Sequence, residues 1–228
     1  MEKLELTILI PCLNEEETLA ICINKAKDFL KRNNINGEVL IADNGSTDNS
    51  IEIAKENGAR VANIKYKGYG NALRYGSLEA KGLYTIMGDA DDSYNFSELD
   101  EFIKYLREGY DFVIGNRFKA NLEKGAMPFW NRYLGTPVIS FIGRIRSKTK
   151  IGDFNCGLRG YNTKKMNELK CECEGMEYAT EMILRAGKAK FKIKEVPINF
   201  YKDKRNKPPH LRPIRDGIRH LKMLLRKI

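Results

Sequence analysis

Up to Gly115 the apolar residues take two arrangements: short continuous runs, and longer stretches where they recur every third or fourth position. Leu4–Ile10, Val39–Asp43, Arg60–Ile64, Tyr84–Gly88 and Phe112–Gly115 are of the first kind. They predict buried strands, the first stopped by Pro11. Glu15–Asn33 is of the second kind, with Leu19, Ile23, Ala26, Phe29 and Leu30 on one helical face. Further helices are expected from a Thr47 or Asp48 cap to near Gly58, over Gly70–Lys81 behind a glycine-rich loop, and from a Ser97 cap to Arg107. This alternation predicts an α/β fold, a mostly parallel sheet with helices on both faces. Beyond about residue 120 the pattern loosens into expected loops and helices of the same domain. Met127, Phe129 and Trp130 are expected in the core, with lipid contact as the alternative. Asp216–Ile228 reads as a basic amphipathic helix, equally suited to lie on an anionic leaflet or to pack on the domain. No window reaches the roughly 18 apolar residues of a membrane span.

In such sheets ligands bind beyond the carboxyl ends of the strands. Those ends carry Asn14 and Glu15, Asp43, Asp89 and Asp91, and Asn116 and Arg117. Gly88-Asp89-Ala90-Asp91-Asp92 is the most informative of them. Residues i and i+2 of an extended segment point the same way, so Asp89 and Asp91 deliver two carboxylates to one side. Like charges that close call for a cation, and hard oxygen ligands suit Mg²⁺ or Mn²⁺ with substrate phosphates. The motif alone also fits an acidic turn with a helix N-cap.

The 228 residues carry a net charge of +10, concentrated in residues 185–228. That suggests an anionic partner (phosphate groups, a membrane surface or nucleic acid) or a merely solubilising surface. Five cysteines without regular spacing point to reduced thiols on a cytosolic face, and Cys171-Glu172-Cys173 lacks the companions of a zinc site. Met1 runs almost directly into the first strand pattern, so no signal peptide is expected. His210 and His220, the only histidines, have no metal-ligand spacing.

Pro11-Cys12-Leu13-Asn14-Glu15, Asp43-Asn44-Gly45-Ser46-Thr47-Asp48 and Gly88-Asp89-Ala90-Asp91 together resemble the family-2 inverting glycosyltransferases of GT-A fold. Gly115-Asn116-Arg117-Phe118, Asp153–Arg159 and Arg205–Arg212 look closer to one branch, the polyprenyl-phosphate (dolichol-phosphate) sugar synthases. The resemblance covers about residues 4–222. It implies a Rossmann-like GT-A sheet, with residues 1–120 as the nucleotide-sugar half, 121–212 as the acceptor half and 213–228 as the terminal helix. It implies a donor pocket of Pro11, Asn14, Glu15, Asp43, Gly70, Asn71, Asp89 and Ala90, with Gly68 beside it. Asp91, helped by Asp89, would hold Mg²⁺ or Mn²⁺ against the donor diphosphate. Many relatives carry Gln where this chain has Ser93, which leaves a further ligand open between water and Asp92. Arg117, Arg159, Arg205, Lys207, His210 and Arg212 would meet phosphates, Arg117 and Arg159 with catalytic weight beside Asp89 and Asp91. Glu181 would orient the sugar or pair with a nearby arginine.

The implied reaction moves a sugar from a nucleotide-sugar, UDP-sugar ahead of GDP-sugar, to a polyprenyl phosphate at the cytoplasmic membrane face, with inversion. The implied partners are that lipid, the membrane surface and either a membrane subunit or a second copy, and not nucleic acid. A phosphate monoester, with a second pKa of about 6, is already an anion at pH 7 and needs no general base. Three other readings stand beside it. A family-2 transferase acting on a saccharide hydroxyl would need a base, with Asp91, Asp92 and Glu181 as candidates. A nucleotidyltransferase would show a Gly-rich, Arg/Lys-containing loop where Pro11–Glu15 stands. A non-catalytic module binding anionic surfaces would explain the basic tail but not the acidic strand ends.

Overall fold

The computed structural model describes residues 4–206 and 213–226, with the side chains of residues 213 and 214 outside the description. The chain order is β1 (Leu6–Cys12), α1 (Leu19–Arg32), β2 (Gly37–Asp43), α2 (Ser50–Glu56), β3 (Arg60–Asn63), α3 (Tyr69–Glu79), β4 (Tyr84–Met87), α4 (Asp100–Arg107) and β5 (Phe112–Asn116). A π-helical turn, Asn131–Gly135, then runs into α5 (Thr136–Ser147). It is followed by β6 (Arg159–Asn162), α6 (Thr163–Glu168), α7 (Tyr178–Lys188), β7 (Ile193–Pro197) and α8 (Pro213–Leu225). The five expected strands are present. β6 and β7 are additions to what the sequence suggested: β6 is four residues long, and β7 interleaves Lys194 and Glu195 with its apolar positions.

The sheet order is β3-β2-β1-β4-β6-β5-β7. β6 runs antiparallel to β4 and β5, and the other pairs are parallel. The carboxyl ends of β1, β2, β4 and β5 therefore share one edge. β1 is buried at every position, as a strand paired on both sides and covered on both faces must be. Pro11 lies inside β1 rather than after it. Pairing with β4 ends at Leu9 and Met87, and Cys12 O accepts from Asn44 N on the β2 side. The N–H that Pro11 lacks would have pointed to the side where no strand continues.

The period of two sorts the faces. Leu9, Met87 and Arg159 are in register and share one face, where a Cβ on Gly76 of α3 would touch Leu9 and Ala42 at 2.7 and 2.8 Å. Ile8, Ile86 and Gly160 share the other, where α4 brings Leu106 and Phe102 over Gly160. Helix starts differ from expectation by one to four residues. Glu16–Thr18 form a turn before α1, α2 begins at Ser50 with Asp48 accepting from Ser50 N, and α4 begins at Asp100. Turns ahead of the regular helices account for these differences and leave each element in its place.

α8 both packs and faces outward: His220, Met223 and Leu224 are buried, while Ile218, Leu221 and Leu225 are exposed. No helix among the described residues is long and apolar enough to cross a membrane. The five cysteines carry free thiols.

Candidate active site

The acid pair lies at the end of β4 on the carboxyl edge of the sheet. Tyr69 Oη donates to Asp89 Oδ1 at 2.7 Å. Ser93 donates twice to Asp91 Oδ1, from N at 3.0 Å and from Oγ at 2.6 Å. A side chain at Gly157 would press on Asp89, its Cβ 2.9 Å from Oδ2, so the bare backbone there leaves room for the carboxylate. Burial first, and then the charge of Asp91, push the Asp89 carboxyl above its ordinary range, against the Tyr69 hydrogen bond. Burial also raises Asp91, against the Ser93 hydrogen bonds and the Arg205 charge. The two carboxylates thus sit in a place that favours a cation.

The cation supplied by the chain is Arg205. The segment Tyr201–Arg205 is strapped across the strand ends: Tyr201 N donates to Ser93 O at 3.0 Å and Lys204 N to Asp91 O at 3.1 Å. Arg205 Nη1 reaches Glu15 Oε1 at 2.7 Å, Nη2 reaches Asp203 Oδ2 at 2.6 Å, and Nη2 lies 3.6 Å from Asp91 Oδ2. Asn206 N continues the strap to Glu17 Oε2 at 2.8 Å. A guanidinium held by Glu15, Asp91 and Asp203 marks the spot as one for positive charge. Among the described residues no cluster of three His, Cys, Asp or Glu side chains is arranged for a metal. The residues fit a hard divalent ion of the kind held by one or two carboxylates and completed by substrate phosphates and water.

Asp92 does not belong to that set. It adopts the left-handed conformation (φ 60°), its side chain is fully buried, and Lys25 and Lys204 each reach it at 2.6 Å. It is the anchor of the acidic turn, which removes it as a further metal ligand and as a general base. Glu181 is likewise committed: buried on α7, it accepts from Glu172 N, Cys173 N and Arg185 Nε at 2.7–2.8 Å. Of its two expected roles, the arginine partner is the one the structure has.

The donor-side residues are brought together along the rim. Asn14, at φ 57°, accepts from Thr47 N at 2.7 Å and so ties the loop after β1 to the loop after β2. Asp43 accepts from Gly45 N at 2.9 Å and from Ser46 N at 3.2 Å, closing the turn beneath it with acceptor capacity to spare. Pro11 is buried in β1 and forms part of the floor. Ala90 O accepts from the buried Cys22 thiol at 3.3 Å, which fixes the turn from below. Gly70 and Asn71 have protein partners of their own. Their backbone is bare because it meets protein: Gly70 N donates to Glu174 O at 2.8 Å, and a Cβ there would strike Cys173 O and sit 2.8 Å from Gly175 O. Gly68 approaches Glu174 O in the same way, and Asn71 Nδ2 donates to Lys67 O. The close approach explains these residues without a nucleotide.

The two arginines given catalytic weight are engaged with protein groups. Arg117 pairs with the fully buried Asp153 through Nε–Oδ2 at 2.7 Å and Nη2–Oδ1 at 2.8 Å. A bidentate fork committed to one carboxylate is not a phosphate clamp in this conformation. Arg159, on β6, is wholly buried on the α7 face of the sheet, with Nε on Cys156 O, Nη1 on Ala179 O and Nη2 on Phe154 O. Burial pulls its pKa down. It is a strut between the Phe154–Cys156 loop and α7. Lys207, His210 and Arg212 lie outside the described residues. Tyr69, Tyr94, Lys25 and Lys204 serve this rim without having been singled out. Their partners are 20 to 112 positions away, a separation no local pattern reveals.

The comparisons with known proteins accord with this geometry. Residues 7–170 match the family model "Glycosyl transferase family 2". A low-salt glycan biosynthesis hexosyltransferase, Agl6 of Haloferax volcanii, is 36% identical over 96% of this chain, which spans 53% of that protein. The glycosyltransferase AglJ of the same organism is 32% identical over 92% of this chain and 67% of its own length. The chain thus spans from about half to two thirds of these curated relatives. Glucosyl-3-phosphoglycerate synthase from Mycobacterium tuberculosis, in a crystal structure with phosphoglyceric acid, superposes with a TM-score of 0.76 at 17% identity. The superposition covers 97% of this chain and 79% of that one. The same enzyme crystallised with Mn²⁺, uridine diphosphate and glucosyl-3-phosphoglycerate gives 0.73 at 17% identity, covering 97% and 79%. At that identity the likeness is one of fold, and it bears out the GT-A expectation. With a family model covering most of its length, the chain belongs to glycosyl transferase family 2, and these relatives are named as a hexosyltransferase and a glycosyltransferase.

Proposed function

We propose that the enzyme transfers a hexose from a uridine diphosphate sugar to a polyprenyl phosphate at the cytoplasmic face of a membrane. The observation that carries this reading is the state of the carboxylates around the rim. Asp92, Asp153 and Glu181 are buried and matched to Lys25 and Lys204, to Arg117, and to Arg185. Of the candidate bases that leaves Asp91, which with Asp89 forms the pair suited to a cation. A phosphate acceptor suits that arrangement, because it arrives as an anion and gives up no proton as it attacks.

In this reading Asp91 and Asp89 would hold Mg²⁺ or Mn²⁺, which when bound would supply positive charge to the departing diphosphate. Asp43, Asn14 and the loops they close receive the nucleoside. Arg205 leaves Asp91 as the donor arrives and turns its guanidinium to the diphosphate, where a fork geometry is at its best. An oxygen of the acceptor phosphate attacks the anomeric carbon from the opposite side. The bond from that carbon to the diphosphate breaks, its electron pair leaves with uridine diphosphate, and the configuration inverts. The names of the hexosyltransferase and glycan-biosynthesis relatives support the sugar class. The uridine diphosphate and Mn²⁺ of the superposed synthase support the donor and the ion.

An acceptor comparison tests the proposal. With UDP-hexose and Mn²⁺, a water-soluble short-chain polyprenyl phosphate, the matching polyprenol and a free saccharide are offered separately and products are weighed by mass spectrometry. Product with the phosphate alone is expected. Product with the saccharide and none with the phosphate would overturn the acceptor assignment.

A further inference from the structure

The helical stretch from Phe129 through the π-turn and α5 to Ser147 has its faces reversed relative to a helix of a soluble domain. Thr136, Ser140, Gly143 and Ser147 lie inward, with Ile139 the one large apolar side chain among the buried residues of α5. Gly143 lies against the Phe154 ring with no room for a Cβ, and Ser140 Oγ accepts from Phe154 N at 3.1 Å. The outward side carries Phe129 at 66% exposure, Trp130 at 71%, Tyr133 at 59%, Phe141 at 59% and Ile145 at 65%. Phe129 packs on Trp130 and Tyr133, with ring centroids 5.8 and 4.7 Å apart, and Phe141 and Ile145 form an i, i+4 pair further along, so the exposures make a ridge rather than a scatter. Ordinary amphipathic packing puts such residues inward, and exposed patches of this extent mark an interaction surface.

The charge around the ridge identifies its partner. Between Glu123 and Asp153 the chain has no acid, and it has Lys124, Arg132, Arg144, Arg146, Lys148 and Lys150. Arg132 lies over the Tyr133 ring at 5.3 Å and Arg144 over Phe141 at 6.0 Å, so cation and aromatic share one surface. α8 is anchored beside it, with Arg146 Nη2 donating to Arg226 O at 2.8 Å, and exposes Ile218, Leu221 and Leu225. A two-fold contact between copies would set this acid-free basic segment against itself, which disfavours a second copy. Apolar residues flanked by cations of an acid-free segment match a lipid surface with anionic headgroups.

We infer that the Phe129–Ile145 face docks on an anionic lipid bilayer, its aromatic and aliphatic residues entering the interface and its arginines meeting headgroup phosphates. This deepens the lipid-acceptor reading, on which it rests for its purpose, by naming the surface that brings the rim to the bilayer. The chain leading into the helix is joined to the strap: Glu123 N donates to Phe200 O at 2.9 Å, five residues before Arg205. Docking and the rim are therefore linked through one short backbone segment.

Trp130 is the only tryptophan, so it reports this surface alone. The full chain is mixed with phosphatidylcholine vesicles, with and without phosphatidylglycerol, both free of polyprenyl phosphate. Co-sedimentation and Trp130 emission are read. Binding to the anionic vesicles with a blue shift, weakened by salt, is expected. A variant carrying Phe141→Ser and Ile145→Ser, with circular dichroism and thermal midpoint unchanged, should bind at least about tenfold more weakly. It should keep wild-type transfer to the water-soluble acceptor. No blue shift and no co-sedimentation, or a blue shift that tracks dimerisation without vesicles, would overturn the inference. Vesicle binding without transfer to any polyprenyl phosphate would leave the docking surface standing and sink the acceptor reading instead. Transfer without vesicle binding would do the reverse.

Discussion

Two carboxylates placed two residues apart at a strand end repel each other, and the protein answers with a guanidinium. Arg205 holds Glu15 and stands 3.6 Å from Asp91, which sets one positive charge among the acids of the rim. The same balance of charges makes other residues structural. Arg159 donates to three backbone carbonyls in the core, and Arg159→Met would remove all three of those hydrogen bonds. The expected cost is roughly 3 kcal/mol or more by chemical denaturation, with UDP-sugar affinity of the folded fraction unchanged. A variant of full stability with lost transfer would return Arg159 to the chemistry. His220 is buried against Thr180, at 2.7 Å between Nδ1 and Oγ1, and burial lowers its pKa to about 4. Glu177, Asp216, Arg159 and Arg219 are the charges that face it. Its neutral form is favoured by folding, so its stabilisation is present above about pH 6.5 and is lost as pH falls toward 4, by up to about 1.4 kcal/mol per unit. Asp89, raised to about 7, has the opposite sign, adding stability as pH falls from 7 toward 4. The His220 effect is therefore read as the difference between wild type and His220→Gln across that range. An identical pH profile for the two proteins would contradict it.

At the scale of elements, the strands of the first half were legible because their apolar runs are continuous and turn residues bound them. β6 was not, since Arg159-Gly160-Tyr161-Asn162 has one large apolar residue and takes its place from β4 and β5 on either side. The exposed helix escaped for the opposite reason: Phe129 and Trp130 have core-like chemistry, and only the packing of small residues inward turns them out. The acids of the site were legible as strand ends. The pairing of Arg117 with Asp153, 36 residues away, and the Asp92 clamp were not, because such contacts have no local period. Two elements make further claims. Gly70→Ala would force the Cys173–Gly175 backbone away from α3, with an expected loss of about 1–3 kcal/mol and a faster proteolytic cut in that segment; equal stability would refute the close approach. The strap predicts a split effect. Arg205→Ala should bind Mn²⁺ more tightly than wild type without donor, by calorimetry, because its internal competitor is gone. It should transfer sugar on the order of 10²–10³-fold more slowly. Unchanged metal affinity would show that Arg205 does not compete for the acid pair.

Across the whole molecule, the parallel strands gather acids at one edge, the strap closes a basic residue over them, and the segment before the basic, apolar-ridged helix is hydrogen-bonded beside that strap. The net charge of +10 is divided accordingly, part answering acids within the fold and part displayed around the ridge. The central claim is that the Asp89–Asp91 pair holds a metal-bound nucleotide-sugar for transfer to a lipid phosphate. It is tested most directly by following label from UDP-hexose into polyprenyl-phosphate product with wild type and Asp91→Asn, each with Mn²⁺ and with chelator. Product from wild type with Mn²⁺, and a loss on the order of 10²-fold or more with chelator or with Asp91→Asn, is expected. Equal product from both proteins in chelator, or labelled saccharide in place of labelled lipid, would contradict it.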